Sequence, residues 1–421
     1  MLQKLKLIFK DKDLRKKILF VLAMLVIFRL GAAIPVPGVD IARLQAFFAG
    51  NQFFGLLNIF SGGALGNLSI VMLGVGPYIT ATIIMQLLTM MFPALKAMYY
   101  EEGEAGRQKF NQYSRFLTVP LAFLQGFGLL VLLERQGAIS HLDFFSRFTN
   151  IIIVVAGSMF LMWLGELISE KGIGNGVSLI IFAGIVAGVP SSLSQVLFNY
   201  NVSQIPVYLA FLAAAFLIIA GVVLVTEGQR PIPVSYAKRV RGMKMYGGVS
   251  TYLPLRVNQA GVIPIIFALS ILLFPQMIVN LLAGAQSPMI QSFSRLALNF
   301  INNPWMYASL YFVLVFLFTY FYTAVTFDPE SISHNLQKSG AFIPGIRPGP
   351  STAEHLGKIL KRITLIGAVF LGLIAVLPLA MRAITGNVAL TLGGTALLIL
   401  VSVALETTKQ IQAQISMREY E

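Results

Sequence analysis

The sequence predicts an all-α polytopic membrane protein with ten transmembrane helices. The first reason is composition: 57% of the 421 residues are hydrophobic, 11% are charged, and the mean hydropathy is +0.78. The second is that apolar stretches able to cross a hydrocarbon core of roughly 30 Å recur along the chain. The third is that Lys and Arg concentrate in alternate connections between these stretches. A soluble globular protein is excluded, because its composition would be far more polar.

The predicted spans divide the chain into two halves of five. The N-terminal half (residues 18–190) and the C-terminal half (residues 205–405) are joined by a hinge at 191–204, and a tail follows at 406–421. If the halves are structural repeats, an odd number of spans requires them to be inverted relative to each other. The predicted spans are Ile18–Ile34, Val75–Phe92, Phe116–Leu133, Ile151–Ile168, Ile173–Val189, Ile205–Thr226, Gln259–Leu282, Trp305–Phe327, Ile363–Met381 and Val388–Leu405.

A basic segment, Met1–Lys17, precedes the first span. It is amphipathic and rich in Lys, which is typical of a segment that lies along an anionic membrane surface. The apolar run after it lacks a small-residue cleavage site. That run is therefore predicted to be a membrane span rather than a signal peptide.

The distribution of positive charge predicts the orientation. With both termini placed in the cytoplasm, 25 of the 31 Lys and Arg residues fall in cytoplasmic segments, and Arg29 lies within the first span. Cytoplasmic loops carry the Lys and Arg excess in membrane proteins. Both termini are therefore predicted to be cytoplasmic. The opposite side carries only Arg43, Arg135, Arg147, Arg295 and Arg382.

The stretch Phe53–Leu88 is interrupted by glycines and predicts a cavity. Its first piece, Phe53–Leu65, would form a helix only about 20 Å long, which is too short to span a bilayer. The breaks fall at Gly62, Gly63 and Gly66. Irregular backbone at membrane depth is tolerated only where it is buried in protein or lines a water-filled cavity.

Two long loops on the predicted cytoplasmic side differ from the other connections. Glu227–Asn258 alternates Tyr, Val and Met with basic residues around Gly247 and Gly248, which predicts a β-hairpin. Asp328–Arg362 contains a Pro- and Gly-rich tip. One interpretation is that the basic residues only satisfy the orientation rule. The other is that paired basic protrusions dock a large, negatively charged partner.

No pattern in the chain is typical of an enzyme or a metal protein. There is no Cys, and the three His residues lie apart in polar segments. Among the residues of the spans and their ends, only Arg29, Glu166, Glu227 and Glu406 are charged, and the three Glu lie near the cytoplasmic ends. Ion-coupled transporters place acidic residues near the midplane, so this distribution argues against one. No catalytic residue, cofactor or metal site is predicted.

Two pairs of aliphatic residues lie beside the glycine and proline breaks. Val75 and Ile79, like Val177 and Ile181, are spaced i,i+4, so each pair shares one face of a helix. Ordinary helix packing explains such pairs. The alternative is a hydrophobic constriction, which gates a pore by excluding water.

Eight motifs follow one another along nearly the whole chain. They are IPVPG (34–38), FSGGALGNLSI (60–70), PYITATIIMQLL (77–88), KGIGNGVSLIIFAGIVAG (171–188), PVSYAKR (233–239), NQAGVIPIIFA (258–268), FIPGIRPG (342–349) and GGTALLI (393–399). Together they resemble the SecY family, the central channel subunit of the bacterial Sec protein translocase. The resemblance implies ten helices in two inverted halves around a central hourglass pore, in the bacterial plasma (inner) membrane.

The resemblance also implies roles for individual residues. An aliphatic ring closes the hourglass, and a short re-entrant plug helix, at about 57–67, lies beneath it. The implied pore ring is Val75, Ile79, Val177, Ile181, Ile266 and Ile399. The implied plug comprises Leu57, Asn58, Ile59, Phe60, Ser61, Gly62, Gly63, Ala64 and Leu65.

The implied function is passage of unfolded secretory polypeptides that carry signal sequences, with membrane segments leaving sideways into lipid. This lateral gate would open between spans two and three on one side and spans seven and eight on the other. Thr80 and Gln86 are placed near it, although satisfied helix-packing residues are an equal alternative. The implied partners are the motor ATPase SecA or a translating ribosome, and the subunits SecE and SecG. The implied docking residues are Lys238, Arg239, Arg241, Lys244 and Arg347.

Two other functions remain open from the residues alone. One is a secondary transporter that binds a small solute at broken helices near the midplane, against which the missing midplane carboxylates argue. The other is a scaffold or insertase without a continuous pore, against which the plug-like segment Phe60–Gly66 argues.

Overall fold

The computed structural model describes residues 11–37, 61, 63–135, 137, 139, 141–198, 205–236, 239–241, 244–246, 250–282, 303–385 and 394–419. Its helices are α1 (Lys12–Ala33), α2 (Gly76–Met91), α3 (Pro93–Tyr100), α4 (Gly103–Arg135), α5 (Phe144–Lys171), α6 (Gly176–Phe198), α7 (Ile205–Glu227), α8 (Ile263–Leu282), α9 (Pro304–Thr326), α10 (Pro329–Lys338), α11 (Pro350–Thr385) and α12 (Gly394–Glu419). Its strands are β1 (Gln229–Tyr236), β2 (Arg239–Arg241), β3 (Lys244–Tyr246), β4 (Ser250–Arg256) and β5 (Ala341–Phe342).

Each of the ten predicted spans overlaps one of these helices. Within the described residues, four helical stretches are long and apolar enough to cross a membrane, and α2 with α3, bent by 113° at Phe92, would be a fifth. The number of spans therefore stays a prediction at ten, while the mostly helical, apolar architecture agrees with the sequence. The four stretches are Gly103–Arg135, Phe144–Lys171, Pro304–Lys338 and Pro350–Leu377.

Several helices begin where the local sequence favours a start. Asp11 accepts a hydrogen bond from the Asp13 backbone N–H at 2.9 Å and caps α1. Asn303 and Asp328 cap α9 and α10 in the same way, and each is followed by Pro in the first turn, where a missing N–H costs little. The sequence gives no such signal at the predicted start of the ninth span, Ile363, and α11 instead begins at Pro350.

The two long loops fold together into one unit, which we call the platform: β1 to β4, α10, β5 and the tip at residues 343–349. Strands β4, β1 and β5 form a three-stranded antiparallel sheet in which Ser235 pairs with Phe342, so the two loops share a sheet. A core beneath it includes Ile232, Leu255 and Leu356, all at most 3% exposed.

The predicted hairpin is present in this loop, and a chain reversal lies ahead of the predicted Gly247–Gly248 turn. Strands β2 and β3 pair with Arg241 opposite Lys244, so the chain reverses at residues 242–243. Gly247 and Gly248, the predicted turn, fall between β3 and β4 and outside the described residues. A connection of two residues between paired strands is sufficient for an antiparallel hairpin.

The two halves meet around a central apolar cluster. This cluster joins α1, α5 and α6 of the first half to α8 and α12 of the second, and it includes Phe28, Leu161, Ile181 and Ile399. Each half has a further core of its own, one around Leu130 and the other around Tyr311. The halves contact each other where α2 and α4 meet α8, and where α6 meets α12.

Candidate constriction and docking platform

The structure brings all six predicted ring residues into the central cluster. Val75, Ile181 and Ile399 are buried there, at 3%, 3% and 2% exposed. Ile79, Val177 and Ile266 are partly buried and pack against the same cluster. The six come from α2 and its N-cap, α6, α8 and α12, so four helices of both halves converge at this point.

Two cavities meet at these residues. The larger, of about 790 Å³, is lined by Ile79, Val177, Ile181 and Ile266 among others. The smaller, of about 370 Å³, is lined by Ile181, Ile266 and Ile399. The two cavities adjoin, since both are lined by Ile181 and Ile266, and the aliphatic cluster closes their apolar end, as a hydrophobic constriction would.

The remaining lining of both cavities is largely polar. The larger cavity also carries Gln86, Asn111, Arg115, Glu166, Glu170, Asn175 and Ser178. Arg115 Nε donates to Glu166 Oε1 at 2.8 Å, which joins α4 to α5. In the smaller cavity, Lys409 Nζ lies 2.8 Å from Glu227 Oε1 and joins α12 to α7. Sequence reasoning noted the two Glu residues but missed their partners, because no spacing in the chain links residues so far apart.

Close backbone contact between α5 and α6 positions Val177. A Cβ added to Gly176 would lie 1.9 Å from the Gly165 carbonyl oxygen, so only glycine permits this approach. The Gly176 N–H donates to Ser169 Oγ at 2.8 Å and fixes the start of α6. The motif GIGNG thus allows α6, which carries Val177 and Ile181, to begin in direct backbone contact with α5.

The predicted plug is described only in part. Leu57, Asn58, Ile59, Phe60 and Gly62 lie outside the described residues.

Its described residues form turns instead of the expected helix. Ser61 Oγ accepts from the Leu65 N–H at 3.0 Å, while Gly63 adopts a φ of +78°, which helical geometry forbids. Ala64 and Leu65 are nevertheless buried, at 0% and 2% exposed. The described part is therefore buried, irregular backbone, and the plug itself stays a prediction.

The backbone that follows the plug is held by the first half. The Val36 N–H donates to the Leu68 carbonyl at 2.8 Å, and the Ile70 N–H donates to the Ile34 carbonyl at 3.0 Å. A Cβ added to Gly157 of α5 would lie 1.9 Å from the Ile70 carbonyl oxygen. The irregular segment is therefore paired and closely packed rather than loose.

The two residues predicted at the lateral gate have different surroundings. Thr80 is 5% exposed, and its hydroxyl donates to the Gly76 carbonyl of its own helix at 3.0 Å. This bond fits the helix-packing alternative. Gln86 lines the larger cavity, and its buried Oε1 has no hydrogen-bond partner in the described part of the chain.

The predicted docking residues lie on the platform. Arg347 is exposed in the tip, and its carbonyl accepts a hydrogen bond from Thr352 Oγ1 at 2.8 Å. The Ser333 hydroxyl donates to the Gly349 carbonyl at 2.6 Å and ties the tip to α10. Arg239, Arg241 and Lys244 lie in the β2–β3 hairpin, and Lys238 falls outside the described residues. The tip is thus held in one conformation with its arginine in solvent.

Among the described residues, no group of three or more His, Asp or Glu side chains could hold a metal ion. The arrangement contains an apolar closure, polar cavities and a basic platform.

Comparison with protein families gives a match to the model described as SecY over residues 69–408. The protein translocase subunit SecY of Corynebacterium glutamicum is 45% identical over 433 residues, covering 98% of both chains. The corresponding subunit of Mycobacterium tuberculosis is 45% identical over 429 residues, covering 97% of this chain and 96% of that one.

Solved structures share the fold. A structure described as a protein conducting channel matches with a TM-score of 0.63 and 19% identity, covering 94% of this chain and 91% of that one. One in which the plug domain of SecY stabilises the closed state of the translocation channel matches with a TM-score of 0.61 and 20% identity over the same shares. With the family model matching most of its length and relatives at 45% identity over nearly all of it, this chain belongs to the SecY family.

Proposed function

We propose that this protein is the channel through which unfolded polypeptides with signal sequences cross the bacterial plasma membrane. The single observation that carries the proposal is the convergence of six aliphatic residues from four helices in one cluster, five of which line two adjoining polar cavities. A passing chain needs a conduit without strong binding sites, since charges or pockets would hold some sequences and reject others. An aliphatic ring is indifferent to the passenger's sequence and resists ion leak.

The same proposal covers the membrane arrangement. Ten spans would form two inverted halves around an hourglass, with the ring at the waist and the segment around 57–67 as its plug. Both termini and the platform would face the cytoplasm, as the charge distribution supports. Membrane segments of the passenger would leave sideways between α2 and α4 on one side and α8 and α9 on the other.

The energy for movement would come from a partner docked on the platform. Its basic residues, among them Arg347, which is exposed on a tip tied to α10, suit a large acidic surface. SecA and the ribosome are the proposed drivers, and SecE and SecG the proposed companion subunits. One structure that shares the fold is described as Sec61 in the canine ribosome-channel complex from the endoplasmic reticulum. That description applies to that complex alone.

Reconstitution tests the proposal directly. The chain is placed in lipid vesicles with SecE and SecG, SecA and ATP are added outside, and a precursor with a signal sequence is offered. We expect the precursor to become protected from protease. The same precursor without its signal sequence is the matched control and should stay accessible. Equal accessibility of both precursors, with SecA and with ribosomes, would overturn the proposal.

A further inference from the structure

A hydrogen bond joins the two halves at one end of their seam. The Tyr100 hydroxyl donates to the Val325 carbonyl oxygen at 2.6 Å, across 225 positions of sequence. Tyr100 is the last residue of α3, which follows α2, and Val325 lies in the last turn of α9. The bond therefore connects the two flanks between which the passenger would leave.

The acceptor is available because α9 ends there. In a continuing helix, the Val325 carbonyl would accept from the N–H four residues later. That residue is Pro329, which has no N–H, and the helix itself stops at Thr326. The sequence thus leaves this carbonyl open to a donor from outside its own helix.

The donor is held in place by the first half. The chain bends by 113° at Phe92, so α3 leaves the direction of α2 and contacts α4. The Tyr99 ring lies 4.8 Å from the ring of Phe110 on α4, which is 1% exposed, and 4.9 Å from the Tyr100 ring. These contacts fix α3 to the first half of the chain. Tyr100 is therefore held in place where its hydroxyl contacts α9 of the second half.

The Tyr100 hydroxyl keeps its proton at neutral pH. Burial first, and then electrostatic interaction with the neighbouring Tyr99 and Asp328, raise its pKa above the ordinary tyrosine value of 10.0. It therefore remains a donor throughout the pH range in which the protein works.

We propose that Tyr100 is a positioning residue that latches the lateral seam, and that the latch sets how strong a signal sequence must be to open it. The inference rests on the proposed channel function. A signal sequence that parts the seam must carry α9 away from α3 and break the bond. Removing the bond lowers this threshold. The translocation rate of precursors with weak signal sequences should therefore rise most, and that of precursors with strong signal sequences should change little.

Replacing Tyr100 by Phe removes the hydroxyl and keeps the ring. The net value of one hydrogen bond corresponds to roughly a 2- to 10-fold change in the open-to-closed ratio. We expect Tyr100→Phe to raise the translocation rate of precursors with defective signals by a factor in this range, and to leave precursors with intact signals unchanged. The matched control is Tyr99→Phe, which removes the neighbouring hydroxyl and retains the ring that contacts Phe110.

A second measurement reports on the seam itself. Because the chain contains no cysteine, spin labels can be attached through Lys96→Cys on α3 and Glu330→Cys on α10, both exposed. In the resting full chain, we expect Tyr100→Phe to add a population with a longer label-to-label distance. The wild-type and Tyr99→Phe proteins should show the shorter distance alone.

The outcomes separate this inference from the channel function. If Tyr100→Phe matches Tyr99→Phe in both distance distribution and translocation of defective-signal precursors, the latch is overturned while the channel function stands. If the distances change but signal selectivity does not, the role in selectivity is overturned. If wild-type protein fails to translocate an intact precursor with either driver, the channel function fails instead.

Discussion

Replacing Ile399 by Asn distinguishes a constriction from ordinary packing. Ile399 is 2% exposed and borders the cavity of about 370 Å³. In a dry helix interface, the new amide would lack partners and cost ~1–3 kcal/mol, in addition to the lost apolar contacts. Beside a water-filled cavity, the amide is hydrated whenever the seal loosens, and most of that cost disappears.

The neighbouring residue provides the control. Leu398 is 1% exposed, lies in the core of the second half and is not part of the lining of either cavity described above. Leu398→Asn should therefore incur the full ~1–3 kcal/mol, a large fraction of the ~5–15 kcal/mol that stabilises a typical domain. We expect Leu398→Asn to reduce thermal stability and abundance more than Ile399→Asn does.

The channel phenotype should follow the opposite order. In planar bilayers, resting Ile399→Asn protein should conduct ions, and it should pass precursors with defective signals, since a hydrated waist shifts the balance toward the open state. Leu398→Asn should do neither. The constriction reasoning is refuted if Ile399→Asn membranes are as tight as wild type and its loss of stability equals that of Leu398→Asn.

Three further predictions concern the platform, the α5–α6 contact and the orientation. Arg347→Glu should abolish partner-driven translocation without loss of abundance, because the side chain is exposed on a tip held by backbone contacts. Lys358→Glu on α11 is the charge-matched control. Undiminished translocation by Arg347→Glu would exclude Arg347 from the mechanism. Gly176→Ala should lower the thermal midpoint, since its Cβ would meet the Gly165 carbonyl oxygen at 1.9 Å. Gly188→Ala, in the same helix and with room for the new Cβ, should keep or raise the midpoint, because Ala favours a helix over Gly. Equal midpoints for the two variants would contradict the close-contact argument. Reporter fusions after Lys244 and after Arg347 should give cytoplasmic signals, and a signal from the opposite side would reverse the orientation.

Much of the architecture could be predicted because membrane helices are encoded locally. Apolar runs of spanning length are readable one at a time, so each predicted span overlaps a helix even where its ends differ. The ends of helices were harder to predict where no Pro or Gly interrupts the helical sequence. Helix α12, for example, continues to Glu419, well past the predicted end of the span at Leu405. Motif resemblance supplied the ring, since no periodicity connects Val75 to Ile399.

The contacts that cross between distant segments could not be predicted. The pairing of Ser235 with Phe342, the ion pair of Arg115 with Glu166 and the bond from Tyr100 to Val325 each join residues with no shared pattern. Such contacts depend on how whole helices are placed. A sequence read in short windows carries no information about that placement.

The shared sheet of the platform has a consequence for how the protein is made. Strand β1 is synthesised long before β5, because the helices α8, α9 and α10 lie between them in the chain. The sheet is therefore incomplete until the ribosome has passed Phe342, and closing a loop of this length is intrinsically slow. A nascent or truncated copy that lacks β5 lacks the joined surface, so the completed sheet marks a finished molecule.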